Sequence, residues 1–272
     1  MRIFASDFDN TLHFVNEEGK GYFKKEDLEA IEKFQKEGNL FGLCTGRPLY
    51  GLQGDLKGGP KLDFIIASTG ALITVPGAKG YRTLAQDVLS LKDTEGVYHH
   101  CSDNNGTLFI HADGNIYTVK TFANQGYPDQ KVIESFEELK QASITGISVW
   151  TPSFDTAATL TKSINEKFGV TLAAYQNGNW IDVVALKVSK GNAAVHAKEL
   201  FGADTVVGMG DNFNDIPLLD KVDIGFTFHA SAEEVQNHAT YVVDSIAEAM
   251  QILHLKKKKS GGLETGFLFL QM

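Results

Sequence analysis

Two aspartates that follow a short apolar segment near the start of the chain constrain its fold most. Asp7 and Asp9 come directly after residues 2–5, whose composition is typical of a buried strand. Side chains two residues apart in an extended chain point to the same side, so both carboxylates can reach one small site. In an open parallel sheet, such sites lie beyond the carboxyl ends of the strands. We therefore predict a parallel α/β sheet with a site at the end of its first strand.

The chemistry that suits this pair is phosphoryl transfer. Two close carboxylates favour a divalent cation, and hard oxygen ligands indicate Mg²⁺. In an aspartyl-phosphate mechanism, Asp7 would be the nucleophile and Asp9 the general acid and base. The alternative is structural, because an Asp-x-Asp pair can simply cap a turn. The pair alone leaves both interpretations open.

Length and composition are those of a globular protein with one large domain, or with a core domain and an insertion. The chain has 272 residues, of which 43% are hydrophobic, and no apolar run reaches the roughly 18 residues of a membrane span. No signal peptide is visible, and two cysteines fit a reducing compartment. A net charge of −9 argues against nucleic acid as a partner, and lysines 256–259 are typical of a solvated tail. We expect a cytoplasmic monomer or weak dimer that acts on a small phosphorylated metabolite, without membrane contact.

A second polar motif follows the next predicted strand, residues 39–44. Thr45 and Gly46 stand at its carboxyl end, where a hydroxyl and a backbone amide can hold a phosphoryl oxygen. The alternative is an N-cap threonine. Lys190 lies in the first turn of a predicted helix, where the helix dipole disfavours a cation unless an anion compensates. A phosphoryl group would be such an anion; the alternative is an exposed surface lysine, and this position alone leaves both open.

The pattern changes between residues 83 and 187, where Gly-rich turns and alternating apolar residues replace the α/β order. We predict an α+β domain of residues 83–187, inserted into a discontinuous core of residues 1–82 and 188–272. The α/β order then resumes, and a further predicted strand, residues 204–210, ends in a second acidic cluster that contains Asp211 and Asp215.

Four motifs in order resemble the haloacid dehalogenase superfamily: Asp7-x-Asp9, Thr45-Gly46-Arg47, Lys190, and Gly210-Asp211-Asn212-x-Asn214-Asp215. The insertion looks like the cap of the Cof-type phosphatases of that superfamily, and the resemblance covers nearly all of the chain except its last dozen or so residues. It implies a doubly wound, mainly parallel α/β sheet with an inserted α+β cap, and a Mg²⁺-dependent phosphatase.

The resemblance also implies a role for each motif residue. Asp7 would be the nucleophile, and Asp9 the acid and base that also offers its backbone carbonyl to Mg²⁺. The metal set would be Asp7, Asp9 and Asp211. The phosphoryl group would be held by Thr45, Gly46, Arg47, Lys190 and Asn214, with Asn212 and Asp215 in support. Lys190 would also neutralise charge on Asp7, and Asn214 with Asp215 would orient Lys190 or the waters of the metal.

Three positions depart from the family pattern. Asn10 stands where Gly is common, and Asn tolerates the left-handed backbone region well. Thr69 and His229 each stand where Asn is frequent, which leaves substrate contacts at these two positions open.

The insertion carries the information about substrate. It has no arginine from residue 84 to residue 186, and its acidic residues outnumber its lysines, so it lacks the cationic clamps that a second anionic group would need. We expect a small monophosphate, a sugar phosphate first and pyridoxal phosphate or flavin mononucleotide second. A phosphate-binding or phospho-receiver-like regulatory protein without turnover is the alternative class. Side chains suited to a polyhydroxylated or flat leaving group are Tyr98, Tyr117, Tyr175, Asn177, Asn179 and Trp180.

Overall fold

The computed structural model describes residues 1–52, 54–78, 80–120 and 130–261, with side chains as far as residue 256. The sequence also has a short apolar run near its C-terminus, residues 267–270, which lies outside the described residues. The helices and strands, in chain order, are β1 (Arg2–Ser6), β2 (His13–Val15), β3 (Gly21–Phe23), α1 (Lys25–Lys36), β4 (Leu40–Cys44), β5 (Phe64–Ala67), β6 (Leu72–Gly77), β7 (Gly80–Gln86), α2 (Leu91–Ser102), β8 (Thr107–Ala112), β9 (Asn115–Val119), β10 (Lys131–Ile133), β11 (Ile144–Trp150), α3 (Phe154–Phe168), β12 (Leu172–Asn177), β13 (Trp180–Ala185), α4 (Lys190–Phe201), β14 (Thr205–Met209), α5 (Ile216–Lys221), β15 (Ile224–Phe228), α6 (Glu233–Asn237), β16 (Tyr241–Val243) and α7 (Ile246–Gly261).

The larger sheet has eight strands in the order β16-β15-β14-β1-β4-β5-β6-β7. The strands from β16 to β5 are parallel, and β6 and β7 are antiparallel additions. Successive residues of β1 face opposite sides, since Phe4 packs in a cluster with Ile31 of α1 and Met250 of α7, whereas Ile3 packs in another with Ala194 of α4. Helices therefore cover both faces, and the predicted doubly wound α/β fold is confirmed.

The smaller sheet has six strands in the order β10-β9-β8-β11-β13-β12, antiparallel except for the pair β9 and β10. Residues of α2 and α3, among them Val97, Leu160 and Ile164, share one buried cluster with its strands. This α+β unit lies within the segment that the sequence predicted as an insertion. The predicted boundaries stay a prediction, and β7 pairs with β6 of the larger sheet as far as Gln86, past the proposed boundary at residue 82.

The sequence of residues 10–21, with Asn, His and Gly and few apolar residues, predicts an irregular loop after β1, but the structure has the antiparallel hairpin of β2 and β3 there. Aromatic packing accounts for the difference, because the His13 ring stacks on Phe8 at 4.9 Å between centroids and also contacts the ring of Phe23. Gly19, with φ of +76°, lies in the turn between the two strands. The hairpin therefore packs against Phe8, the residue between the two predicted catalytic aspartates. Across the described residues, no helix combines the length and apolar character needed to cross a membrane.

Candidate active site

The structure brings the predicted motifs to one edge of the larger sheet. In the parallel register, Ser6 at the end of β1 pairs with Met209 of β14 and with Leu43 of β4. The residues that follow these three strands therefore meet at the carboxyl edge. Asp7 is fixed there by a hydrogen bond from its amide to Met209 O at 2.8 Å, and Thr45 by one from its amide to Ile66 O at 2.9 Å.

Lys190, the first residue of α4, is buried, with 1% of its surface exposed. Its ammonium donates to Asp7 Oδ1 at 2.6 Å and to Asp215 Oδ1 at 2.5 Å. Burial disfavours the charged form, but Asp215 and Asp7 outweigh that effect and hold the pKa of Lys190 well above its ordinary value. The alternative of an exposed surface lysine is therefore wrong, and the anions that compensate the helix dipole here are carboxylates of the protein itself.

Two glycines let the chain segments around Lys190 come close together. A β-carbon on Gly191 would lie 1.8 Å from Pro217 O, at the contact between α4 and α5. A β-carbon on Gly210 would lie 2.3 Å from Asp215 Cγ. Any side chain at either position would move Lys190 or Asp215, so the ion pair depends on both glycines.

Three carboxylates form the acidic centre of the site, since each of Asp7, Asp211 and Asp215 offers an oxygen within 4.8 Å of the others. Asp215 uses both of its oxygens within the protein: Oδ1 accepts from Lys190, and Oδ2 accepts from the amides of Asp211 at 3.0 Å and Asn212 at 3.1 Å. Asp211 Oδ1 accepts from the Thr11 hydroxyl at 2.9 Å. Asp7 and Asp211 thus keep one carboxylate oxygen each for a cation, and Asp215 holds the loop in place.

The protonation of these carboxylates reflects their crowding. Burial raises the pKa of Asp7 well above its ordinary value, and the charge of Lys190 offsets only part of the effect. Burial, together with the charge of Asp215, raises the pKa of Asp211 to about 6. A divalent cation would favour the ionised form of both, so the oxygen donors of Asp7 and Asp211 fit Mg²⁺ in number and in chemistry.

Asp9 and Arg47 form a bidentate ion pair. Arg47 Nε donates to Asp9 Oδ2 at 2.8 Å, and Nη2 donates to Oδ1 at 2.5 Å. The same guanidinium donates from Nη1 to Asp55 Oδ2 at 2.6 Å. Burial acts against the charge, yet Asp9 and Asp55 raise the pKa of Arg47 above its ordinary value. The residue predicted to bind phosphate thus contacts the predicted acid and base instead.

Thr45 is buried in the turn after β4, where its Oγ1 accepts from the Arg47 amide at 3.1 Å. No helix begins at Thr45, since the next helical turn spans Leu49–Leu52, so Thr45 does not act as a helix N-cap. Its carbonyl accepts from the Thr69 amide at 3.0 Å, and the Arg47 carbonyl accepts from the Ser68 amide at 2.9 Å. These bonds attach the turn to Ser68, Thr69 and Gly70, whose φ angles of +47°, +56° and +110° are all left-handed.

A cavity of about 380 Å³ opens beside these residues, between the two sheets. Of the six side chains predicted to suit a leaving group, Asn177 and Trp180 line it. Tyr175 does not line the cavity, and its hydroxyl donates instead to Val188 O at 3.0 Å. Asn212 Nδ2 donates to Asn177 Oδ1 at 3.2 Å and so connects the loop after β14, which carries Asp211 and Asp215, to the smaller sheet. The cavity is lined by Asp9, Gly46, Arg47, Ser148, Asn177, Trp180 and Asp182.

Sequence reasoning missed Thr11 and Asp182. Asp182 lies on β13 among Ile181, Val183 and Val184, and it is 5% exposed. A lone carboxylate within an apolar strand is a readable signal, because buried charges are rare unless they have a partner. The predicted phosphate ligand Asn214 is buried beside it, close enough for its side chain to lower the pKa of Asp182.

Asn10 and His229 lie beside Asp211 at a second cavity. Both line this cavity of about 330 Å³, together with Asp211 and Lys24. Asn10 has a φ of +59°, in the left-handed region that Asn was expected to tolerate. His229 therefore lines the cavity at Asp211 and not the cavity beside Asp9.

Comparisons with known proteins identify the family and the fold. The sequence model of the haloacid dehalogenase-like hydrolase family matches residues 4–252. A Bacillus subtilis (strain 168) protein named "Putative phosphatase YxeH" is 24% identical, over 94% of this chain and 99% of that protein.

Two solved structures share the fold. A structure of the subclass IIB sugar phosphatase BT4131 has a TM-score of 0.72 at 20% identity, covering 93% of this chain and 99% of that chain. A haloacid dehalogenase-like hydrolase from B. subtilis has a TM-score of 0.76 at 18% identity, covering 94% and 99%. The chain therefore belongs to the haloacid dehalogenase-like hydrolases and, as the sequence predicted, is an enzyme of their Cof-type phosphatase group with an inserted α/β cap.

Proposed function

We propose that this enzyme hydrolyses a small phosphate monoester, a sugar phosphate in the first place, through an aspartyl phosphate on Asp7 and with Mg²⁺. The observation that carries the proposal is the buried Asp7 carboxylate, held by Lys190 at 2.6 Å within an oxygen cluster that includes Asp211. The description of one structural neighbour as a sugar phosphatase supports the substrate class. A cytoplasmic location and a monomeric or weakly dimeric state remain predictions from the sequence.

The reaction has two steps. An oxygen of Asp7 attacks phosphorus, the ester bond breaks, and the leaving alcohol takes a proton from Asp9. Asp9 then accepts a proton from water as that water attacks phosphorus, which releases phosphate and restores the Asp7 carboxylate. Lys190 neutralises charge on Asp7 and on the phosphoryl oxygens, while Thr45 and the Gly46 amide orient those oxygens.

Mg²⁺ would be held by carboxylate oxygens of Asp7 and Asp211, with the backbone carbonyl of Asp9 as a further ligand. The bound cation supplies the positive charge that lets a phosphate dianion approach a nucleophile that is itself anionic. Asp215, whose oxygens are used by Lys190 and by the amides of its own loop, positions the site rather than binding the cation.

Arg47 would change partners during the reaction. Its guanidinium pairs with Asp9 here, and a phosphoryl group offers the same bidentate acceptor geometry. Transfer of Arg47 from Asp9 to the phosphoryl group would free Asp9 to carry the proton that the leaving alcohol needs. This exchange reconciles the predicted phosphate contact with the observed ion pair.

Phosphate release from a panel of monoesters tests the proposal and separates it from a regulatory protein that binds phosphate without turnover. The panel contains sugar phosphates, pyridoxal phosphate, flavin mononucleotide and an aryl phosphate, each measured with Mg²⁺ and with EDTA. We expect turnover that EDTA abolishes. Asp7→Asn should lose all but a few per cent of it, whereas Asp103→Asn, at an exposed position after α2, should retain it.

The covalent step has its own readout. Borohydride reduces an acyl phosphate, so peptide mass spectrometry of enzyme quenched during turnover should locate the modification at Asp7. Turnover that persists in Asp7→Asn, or a modification that never appears at Asp7, would overturn the covalent mechanism.

A further inference from the structure

The carboxylate of Asp182, on the smaller sheet, contacts the turn after β4 of the larger sheet. This turn contains Thr45 and Gly46, which are predicted to bind phosphate. A β-carbon built on Gly46 would lie 2.4 Å from Asp182 Oδ2 and 3.2 Å from its Cγ. Only glycine leaves room for this approach, so the Thr45-Gly46 turn and the Asp182 carboxylate are in contact. Asp182 also lines the cavity beside Asp9.

Two polar atoms at this contact are buried without a partner in the described part of the chain: Asp182 Oδ2 and Thr69 Oγ1. Burial raises the pKa of Asp182, and the charge of Lys190 and the donor groups of the nearby Thr69, Asn214 and Ser148 side chains offset part of the effect. The Lys190 ammonium is already bonded to Asp7 and Asp215 and does not pair with Asp182. None of these donors makes a hydrogen bond to Asp182 Oδ2, so a ligand can supply the donor that this oxygen lacks.

A neutral side chain, His111, connects the surroundings of Asp182 to the larger sheet. Ser148, which pairs with Asp182 across β11 and β13, has its hydroxyl 3.0 Å from His111 Nε2, and His111 Nδ1 lies 3.2 Å from the Ser68 hydroxyl of the larger sheet. Burial lowers the pKa of His111 to about 3, so the ring is neutral at physiological pH. His111 therefore joins the two sheets without adding a cation that would attract a second anionic group.

The position of Asp182 defines the ligand group that would meet it. A substrate whose phosphoryl group lies between Thr45 and Lys190 places its leaving group in the cavity, next to Gly46. A hydroxyl there can donate to Asp182 Oδ2, whereas a second phosphate or a carboxylate would be repelled. We propose that Asp182 accepts a hydrogen bond from a leaving-group hydroxyl close to the ester, and so selects hydroxylated, otherwise neutral phosphate esters; this inference rests on the proposed function.

The kinetic test uses Asp182→Asn, which keeps the size of the side chain and its fit against Gly46. The readout is kcat/KM for a sugar monophosphate relative to an unhydroxylated alkyl phosphate, and for a sugar bisphosphate relative to the monophosphate. We expect the first ratio to fall at least about tenfold and the second to rise, because an amide binds a donor hydroxyl less well and no longer repels an anion. Asp103→Asn should leave both ratios unchanged. Unchanged ratios in Asp182→Asn, including a parallel loss on all three substrates, would mean that Asp182 is only structural.

A binding experiment keeps the inference testable without turnover. Asp7→Asn protein, with Asp182 intact or also changed to Asn, is titrated calorimetrically with 2-hydroxyethylphosphonate and with ethylphosphonate. We expect tighter binding of the hydroxylated ligand, and loss of that preference when Asp182 is changed. If the unaltered enzyme hydrolyses no monoester, the proposed function fails while this preference can still stand. Equal binding of the two phosphonates overturns the inference in either case.

Discussion

Replacing Lys190 by methionine removes the cation at the centre of the site. Its ammonium lies 2.6 Å from Asp7 Oδ1 and 2.5 Å from Asp215 Oδ1, and both carboxylates are buried. Removing one partner of a buried ion pair typically destabilises a protein by about 3–5 kcal/mol. The variant can avoid an unpaired buried charge if one of the two carboxylates binds a proton. For a carboxyl with an ordinary pKa near 3.9, protonation at pH 7 costs about 4 kcal/mol. The two estimates agree, so we expect a loss of about that size at pH 7.

This loss converts into a temperature shift that depends on pH. The entropy of unfolding is about 2.1 cal/mol/K per residue, or about 0.57 kcal/mol/K for 272 residues, so about 4 kcal/mol lowers Tm by about 7 °C. At pH 5 protonation costs only about 1.5 kcal/mol, and the deficit shrinks to about 3 °C. The sign follows from linkage: the folded variant takes up a proton that the unfolded chain lacks, so its stability relative to the unaltered protein rises as pH falls.

Thermal unfolding followed by circular dichroism between pH 5 and pH 7 measures this deficit. Lys198→Met is the matched control, since Lys198 lies on the same helix and pairs with Asp223 at 2.8 Å, with 27% and 43% of the two side chains exposed. A surface pair of this kind contributes at most about 1 kcal/mol, so we expect a shift of up to about 2 °C. A Lys190→Met deficit that does not change with pH would show that packing, and not charge, stabilises this position.

Three further predictions concern the same edge of the sheet. The Mg²⁺ dissociation constant, measured by calorimetry, should rise at least about fourfold from pH 7.5 to pH 5.5, because the Asp211 carboxyl, with a pKa of about 6, binds a proton in competition with the metal and the raised pKa of Asp7 acts in the same direction; a constant value would contradict this. Arg47→Lys keeps the charge but loses the bidentate contact with Asp9, so kcat/KM should fall about tenfold or more, and unchanged kinetics would exclude a role for the fork geometry. Thr69→Asn places a residue that tolerates φ of +56° where threonine is strained, and should raise the unfolding free energy in urea by about 1 kcal/mol; a loss of stability would show that the threonine hydroxyl matters more than the strain.

The core of the site could be predicted from sequence because parallel strands fix the register of their ends. The apolar segments before Asp7, Thr45 and Asp211 are neighbours in the sheet, so the polar residues after them meet whatever the loops do. The helix-dipole argument called for an anion beside Lys190 and offered a phosphoryl group, whereas the family resemblance placed Asp7 and Asp215 near it. The dipole argument alone could not identify these two carboxylates, because their contact with Lys190 depends on the close approach of α4 to α5 at Gly191.

The contacts of the remaining residues could not be predicted, because they depend on how distant segments of the chain pack together. Asp182 meets Gly46 across that boundary, and no local periodicity relates residues so far apart in the chain. Arg47 was assigned to phosphate from its place in a motif, yet its guanidinium contacts Asp9 and Asp55, which are closer acceptors for its fork. The sequence pattern predicts at which strand end a residue lies, whereas tertiary packing determines which partner its side chain contacts.

The charges of the site explain why discrimination between substrates would fall to the inserted segment. The two cations at the site on the larger sheet are already paired, Lys190 with Asp7 and Asp215, and Arg47 with Asp9. No lysine lines the cavity beside Asp9 in the described structure, and the insertion has no arginine from residue 84 to residue 186. A second anionic group on a substrate would therefore meet carboxylates without a free counter-charge, whereas a hydroxyl would find acceptors. Preference for a hydroxylated monoester then follows from the charge distribution of the cavity, without any need for a close steric fit.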